Sequence, residues 1–146
     1  MARREYLLTE AEWSIMEAVW EHEPAAAPTI QEVLQDQKGW SYSTVKTLMD
    51  RMAGKGLLET ERIRNLMLYR AAITRKEAQR GELSRALARA FKGAFTPMMQ
   101  FLLDEHGPSE KELAEIEGMI RNKKQEVTRR GGSSRGKAEG SMGKKS

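Results

Sequence analysis

The chain has no cysteine and only two histidines. A disulfide framework and a thiolate metal site are thereby excluded, and His22 and His106 lie in different segments, so no metal site and no cofactor are expected. No apolar run approaches the roughly 18 residues of a membrane span. The opening stretch, MARREYLLTEAEW, lacks the apolar core of a secretion signal, so the expected compartment is the cytoplasm with no membrane insertion. There is no GxGxxG, Walker motif, HExxH or nucleophile-and-base arrangement, which argues against an enzyme.

Positive charge is also scarce where a fold would form. The formal net charge is +4 over 146 residues, but residues 121–146 hold nine Lys/Arg against two Glu, leaving sixteen Lys/Arg against nineteen Asp/Glu in residues 1–120. If nucleic acid is bound, the local placement of cations has to do it, because the folded part offers no global attraction.

Four Thr/Ser-x-x-Glu boxes are present: Thr9 with Glu12, Thr29 with Glu32, Thr74 with Glu77, and Ser109 with Glu112. In such a box the hydroxyl accepts from the third helical amide and the glutamate returns to the cap amide, so each marks a helix start. Trp13, Met16, Val19 and Trp20 then give a first helix over about 10–21. Ile30, Val33 and Leu34 line a short second helix that ends near Lys38-Gly39. A third helix from Ser41 buries Val45, Leu48, Met49 and Met52, with Gly56 as its C-terminal stop. Residues 57–73 alternate instead, which reads as two antiparallel strands joined near Arg64-Asn65. Three helices followed by a hairpin make a winged helix-turn-helix over residues 1–73.

The third helix leaves Ser43, Thr44, Lys46, Thr47, Asp50 and Arg51 facing outward. Short hydroxyl side chains let a helix lie close in a DNA groove, and Lys46 and Arg51 add charge. Ser41 and Tyr42 stand at its N-terminus, where free amides favour a phosphate. Arg62 and Arg64 on the hairpin tip are placed to reach a neighbouring phosphate or the minor groove. A basic helix face is also commonly just a solvated face. Trp40 is expected to staple the preceding turn by packing.

Thr9-Glu10-Ala11-Glu12-Trp13 with Met16 and Trp20, then Trp40 through Leu48, Arg51 to Leu58, and Phe91-Lys92-Gly93-Ala94-Phe95 resemble the penicillinase-repressor family of bacterial regulators (BlaI/MecI type). The similarity covers about residues 7–124. It implies a homodimeric repressor whose winged helices each bind half of an inverted-repeat, double-stranded DNA operator, with contacts on Ser43, Thr44, Lys46, Thr47 and Arg51. In antibiotic-responsive relatives a sensor protease cuts an Asn-Phe bond. Aligning on Phe91 to Phe95 places Phe101-Leu102 there, and both residues depart from the pattern. Copper-responsive relatives carry a cysteine motif that this chain lacks.

Residues 74–124 are expected to form a helical dimerisation domain. Leu87 and Phe91 lie on one face of its first helix, and Gly93 to Pro97 interrupts. Phe95, Met98, Met99, Phe101 and Leu102 supply the next apolar segment, a helix over 98–104, and Leu113, Ile116 and Ile120 supply the last. Residues 125–146 are expected to be a basic disordered tail, either adding nonspecific DNA attraction or inert. The alternative function is a ligand-sensing winged-helix regulator, induced by a small molecule bound between its domains.

Overall fold

The computed structural model describes the backbone of residues 5–145 and the side chains of residues 5–131. Contacts divide the chain into two compact units, one through Ala94 and one from Phe95.

The first unit opens with α1 (Glu10–His22). Thr9 accepts from the Glu12 amide while the Glu12 carboxylate accepts from the Thr9 amide, the reciprocal box read from sequence. Ile15, Met16, Ala18 and Val19 are buried along one face, and Trp13 and Trp20 flank it edge to face. Next come α2 (Ala27–Val33) and a single turn, α3 (Gln35–Lys38). The expected start at Thr29 is corrected. Helix α2 begins two residues earlier with Pro28 in its first turn, which puts Thr29 inside the helix, and Ala26 caps it without a side-chain bond. Proline fits a first helical turn because its missing amide would have no partner there. Ile30 and Leu34 are buried but Val33 is exposed.

Helix α4 (Tyr42–Gly54) buries Val45, Met49 and Met52, and Leu48 is only half-buried. Ser41 caps its start by accepting from the Thr44 amide at 3.2 Å. Its end is a closed turn: Gly56 donates to the Ala53 carbonyl and Leu57 donates to the Met52 carbonyl. Gly56 sits at φ +84, the left-handed geometry that this pair of bonds requires and that glycine adopts without steric cost.

Strands β1 (Leu58–Ile63) and β2 (Leu66–Ala71) form the antiparallel wing, with Ile63 opposite Leu66 and Thr60 opposite Tyr69. Arg64 takes a positive φ at the turn. A further pairing was invisible in the sequence: Ala25 exchanges both backbone bonds with Tyr69, so the segment before α2 flanks the wing at its root. The result is the expected mainly α, winged helix-turn-helix class.

Helix α5 (Arg75–Ala90) starts with the Thr74 box and belongs to this first unit. The boundary expected at 73/74 therefore moves to 94/95. The reason is packing: Ala78 joins the core, Trp20 donates to the Ile73 carbonyl, and Arg75 stacks on Trp20 while pairing with Glu17. Gly81 is buried against the backbone of Tyr6, where a Cβ would fall inside contact distance of the carbonyl oxygen.

The second unit holds α6 (Phe95–His106) and α7 (Glu110–Lys145), the latter capped by the Ser109–Glu112 box. Helix α6 begins at Phe95, not Met98. Helix α7 continues past 124, supported by Glu126 pairing with Lys123 and Arg130 one turn either side. Residues 125–131 are thus helix in place of the expected tail, and the remaining side chains of that tail lie outside the described residues.

Gly81→Ala should destabilise the chain by about 1–3 kcal/mol through overpacking against Tyr6, read as a lower urea midpoint with an unchanged slope. Glu12 gives a pH signature. Burial raises its pKa, but its bonds to Lys55 and Thr9 outweigh that and leave it below the usual carboxylate range. A carboxylate depressed on folding stabilises fully above its unfolded pKa and loses that contribution as pH falls through the folded value. Glu12→Gln should therefore flatten the decline in melting temperature between pH 6 and pH 3.

Candidate nucleic-acid interface

The cap that starts α4 also organises its first turn. Ser41 Oγ lies 3.1 Å from both Ser43 Oγ and Thr44 Oγ1. Three hydroxyls are therefore linked at a helix N-terminus, beside amides that have no carbonyl partner within the helix. Ser41, Tyr42, Ser43, Thr44, Thr47 and Arg51 are all exposed. Ser43, Thr44, Thr47 and Arg51, with the edge of Leu48, line a shallow depression of about 290 Å³. Small polar side chains flank one long cation there, which suits close approach of a polyanionic ridge. Trp40 packs half-buried against the core, and its carbonyl accepts from Gln31.

Arg62 and Arg64 are exposed on the wing, Arg64 at the turn itself. Ile63 and Leu66, beside that turn, are each half exposed, so the tip has an apolar side as well as a basic one.

Lys46 departs from the expected outward-facing cation. It is half-buried, and its Nζ donates to Asp50 Oδ1 and Oδ2 at 2.9 Å each and to the Tyr69 hydroxyl at 2.8 Å. The Tyr69 hydroxyl in turn donates to Asp50 Oδ1 at 2.6 Å. Hydrogen bonds from the Tyr69 hydroxyl and the Asp50 carboxylate hold the Lys46 ammonium well above the usual lysine range. The Tyr69 hydroxyl, then Lys46, hold Asp50 below the carboxylate range, while burial and Asp50 push the Tyr69 phenol up. All three shifts favour one state: ammonium, carboxylate and neutral phenol. Sequence reasoning passed over Asp50 as part of a solvated face. The only signal was its position four residues after Lys46, and its other partner lies on a strand 19 residues further on.

The second unit carries a different surface. Phe95, Met99, Leu103, Ile116, Met119 and Ile120 line an apolar groove of about 820 Å³, with Lys123 and Lys124 at its margin. Of the residues expected to dimerise, Phe95, Phe101, Leu102, Leu113 and Ile120 are exposed, Met99 and Ile116 are half-buried, and Met98 is already buried in the single chain. Leu87 and Phe91 are half-buried and fall in the first unit. Met119 and Val127, not singled out from the sequence, are also well exposed. The Phe101-Leu102 bond lies inside α6, whereas nicking favours exposed loop tips. No helix among the described residues is long and apolar enough to cross a membrane.

The penicillinase repressor family model matches residues 8–122. The chain belongs to that family. The methicillin resistance regulatory protein MecI of Staphylococcus aureus (strain N315) is 24% identical over 123 residues, covering 84% of this chain and all of that protein. The penicillinase repressor of Staphylococcus aureus is 21% identical over 120 residues, covering 82% of this chain and 95% of that one. The solution structure of the monomeric form of Bacillus licheniformis BlaI in complex with the blaP half-operator matches 48% of this chain and 85% of that one, at 23% identity and a TM-score of 0.43. The family is one of DNA-binding transcriptional repressors, so the exposed face of α4 and the wing are the surfaces to weigh for that activity.

Proposed function

We propose that the protein acts in the cytoplasm as a homodimeric repressor in which each chain reads one half of an inverted-repeat DNA operator. The observation that carries this reading is the exposed face of α4: linked hydroxyls at its N-terminus, then Ser43, Thr44, Thr47 and Arg51 around one depression, with Arg62 and Arg64 on the adjoining wing. The hydroxyls and backbone amides hold the phosphate backbone, Thr47 and Arg51 reach base edges or phosphates, and the wing's arginines bind outside the groove that α4 enters.

Dimerisation is supported by the second unit. Phe95 and Met119 are each 65% exposed, and with Ile120 they border the apolar groove. Water-exposed apolar surface of that extent is unfavourable in a single chain and typical of a permanent interface. The occupant proposed for it is the second unit of another copy. Pairing also addresses affinity, because holding two recognition helices on one DNA makes the second contact effectively intramolecular. The two-fold symmetry of such a pair is what an inverted repeat mirrors.

Two measurements test the two halves of this proposal. Arg51→Ala should weaken binding to a duplex selected by the wild-type protein by about tenfold or more per subunit, as expected for a lost charge-assisted contact. It should also lower the slope of log affinity against log salt by about 0.9 per subunit if the lost contact is a phosphate. Unchanged binding would remove α4 from the interface. Ile120→Asp should give a monomer in sedimentation velocity at micromolar concentration, with the melting of the winged-helix unit retained. A dimer of undiminished stability would place the interface elsewhere.

A further inference from the structure

An ammonium group has three N–H donors. In Lys46 they face a compact set of acceptors on one side, both Asp50 carboxylate oxygens at 2.9 Å and the Tyr69 hydroxyl at 2.8 Å. The ammonium charge is therefore compensated at contact distance by Asp50. Local helix physics does not explain why the pair exists. Lysine four residues before an acid is the weaker order for a helical pair. An exposed pair of this kind exchanges readily with solvent. Tyr69 alters that balance, because its side chain is fully buried and its hydroxyl bonds to both charged partners. The wing strand β2 thus holds closed an ion pair on the recognition helix.

Nonspecific DNA affinity comes almost wholly from cations that displace counterions at phosphates. Closing Lys46 onto Asp50 removes one such cation from each recognition helix and leaves the carboxylate, half exposed at 52%, close to the reading face. We propose that Asp50, backed by Tyr69, is a specificity-determining residue that withholds Lys46 from the DNA backbone and so holds down affinity for DNA of arbitrary sequence. This rests on the DNA-binding reading above. Selected sites still bind, because their contacts run through the hydroxyls, Arg51 and the wing.

The test uses the full chain and fluorescence anisotropy over a salt series, with one random-sequence duplex and one duplex selected by the wild-type protein. Asp50→Asn is expected to bind the random duplex about fivefold to tenfold tighter at low salt and to steepen its salt slope by about 0.9 per subunit, one added phosphate contact. The selected duplex should gain less, so discrimination narrows. Lys46→Met alone should keep the wild-type slope, and the double variant should return to it. An Asp50→Asn protein with the wild-type slope overturns the proposal. So does a steeper slope that survives in the double variant, since it would reflect loss of a negative charge and not release of Lys46. If Asp50→Asn fails to fold, Tyr69→Phe carries the test, with tighter random-duplex binding expected and unchanged binding overturning the clamp. Arg51→Ala separates the two readings. If it weakens binding while Asp50→Asn keeps the wild-type slope, only the clamp falls. If the wild type binds neither duplex, or Arg51→Ala binds as wild type, the DNA-binding reading falls and takes the clamp with it.

Discussion

Tyr69 is fully buried, yet it ends in a hydroxyl that must find partners when water is withdrawn. Those partners come from the recognition helix. Asp50 accepts from the hydroxyl and Lys46 donates to it, so the phenol can be buried only if α4 and β2 hold one particular spacing. On the backbone side of the same residue, the amide and carbonyl of Tyr69 are both bonded to Ala25. One residue thus ties together α4, the wing and the segment that leads into α2. Satisfying this one buried polar group therefore constrains how α4 sits against the wing.

The other end of α4 is held by a second charged contact. Lys55, its C-cap residue, donates to Glu12, whose side chain is 6% exposed and which also closes the capping box of α1. The carboxylate serves two purposes with its two oxygens, and this is why it tolerates burial. Between these two anchors, Val45, Met49 and Met52 fill the core and the opposite face is left with Ser43, Thr44, Thr47 and Arg51. A face so constrained behind can present short side chains in fixed positions, which recognition by close approach needs.

Local signals made much of this legible. The boxes at Thr9, Thr74 and Ser109, the stop at Gly56 and the alternation through the wing each depend on residues within a few positions, and each forms as read. The Thr29 box failed because Pro28, one residue away, favours a first helical turn and draws the start back to Ala27. Long-range features left no local trace. The single-residue pairing of Ala25 has no strand pattern around it, and α5 joins the first unit through Gly81 against Tyr6 and Arg75 on Trp20, contacts that no helix periodicity encodes. Of the candidate site, the exposed hydroxyls and Arg51 could be placed from helical spacing. The fate of Lys46 could not, because it depends on a tyrosine in another element.

Charge links these observations. Residues 1–120 carry more acids than bases, with the positive excess beyond 121. With Lys46 paired to Asp50, the other cations of the proposed DNA-facing surface are Arg51 on α4 and Arg62, Arg64 and Arg70 on the wing, with Glu59 and Glu61 on the same strand β1 as Arg62. So small a set gives the winged helix by itself little hold on an arbitrary phosphate backbone, since affinity of that kind scales with the number of phosphates neutralised. Useful binding then has to come from geometry: hydroxyls and amides that bond only at the right distance, and, on the proposed pairing, a second copy set in fixed register. Weak charge and rigid placement thereby act in the same direction. On the reading proposed above, each lowers the affinity for wrong DNA more than for right DNA, and the buried Tyr69 contributes to both.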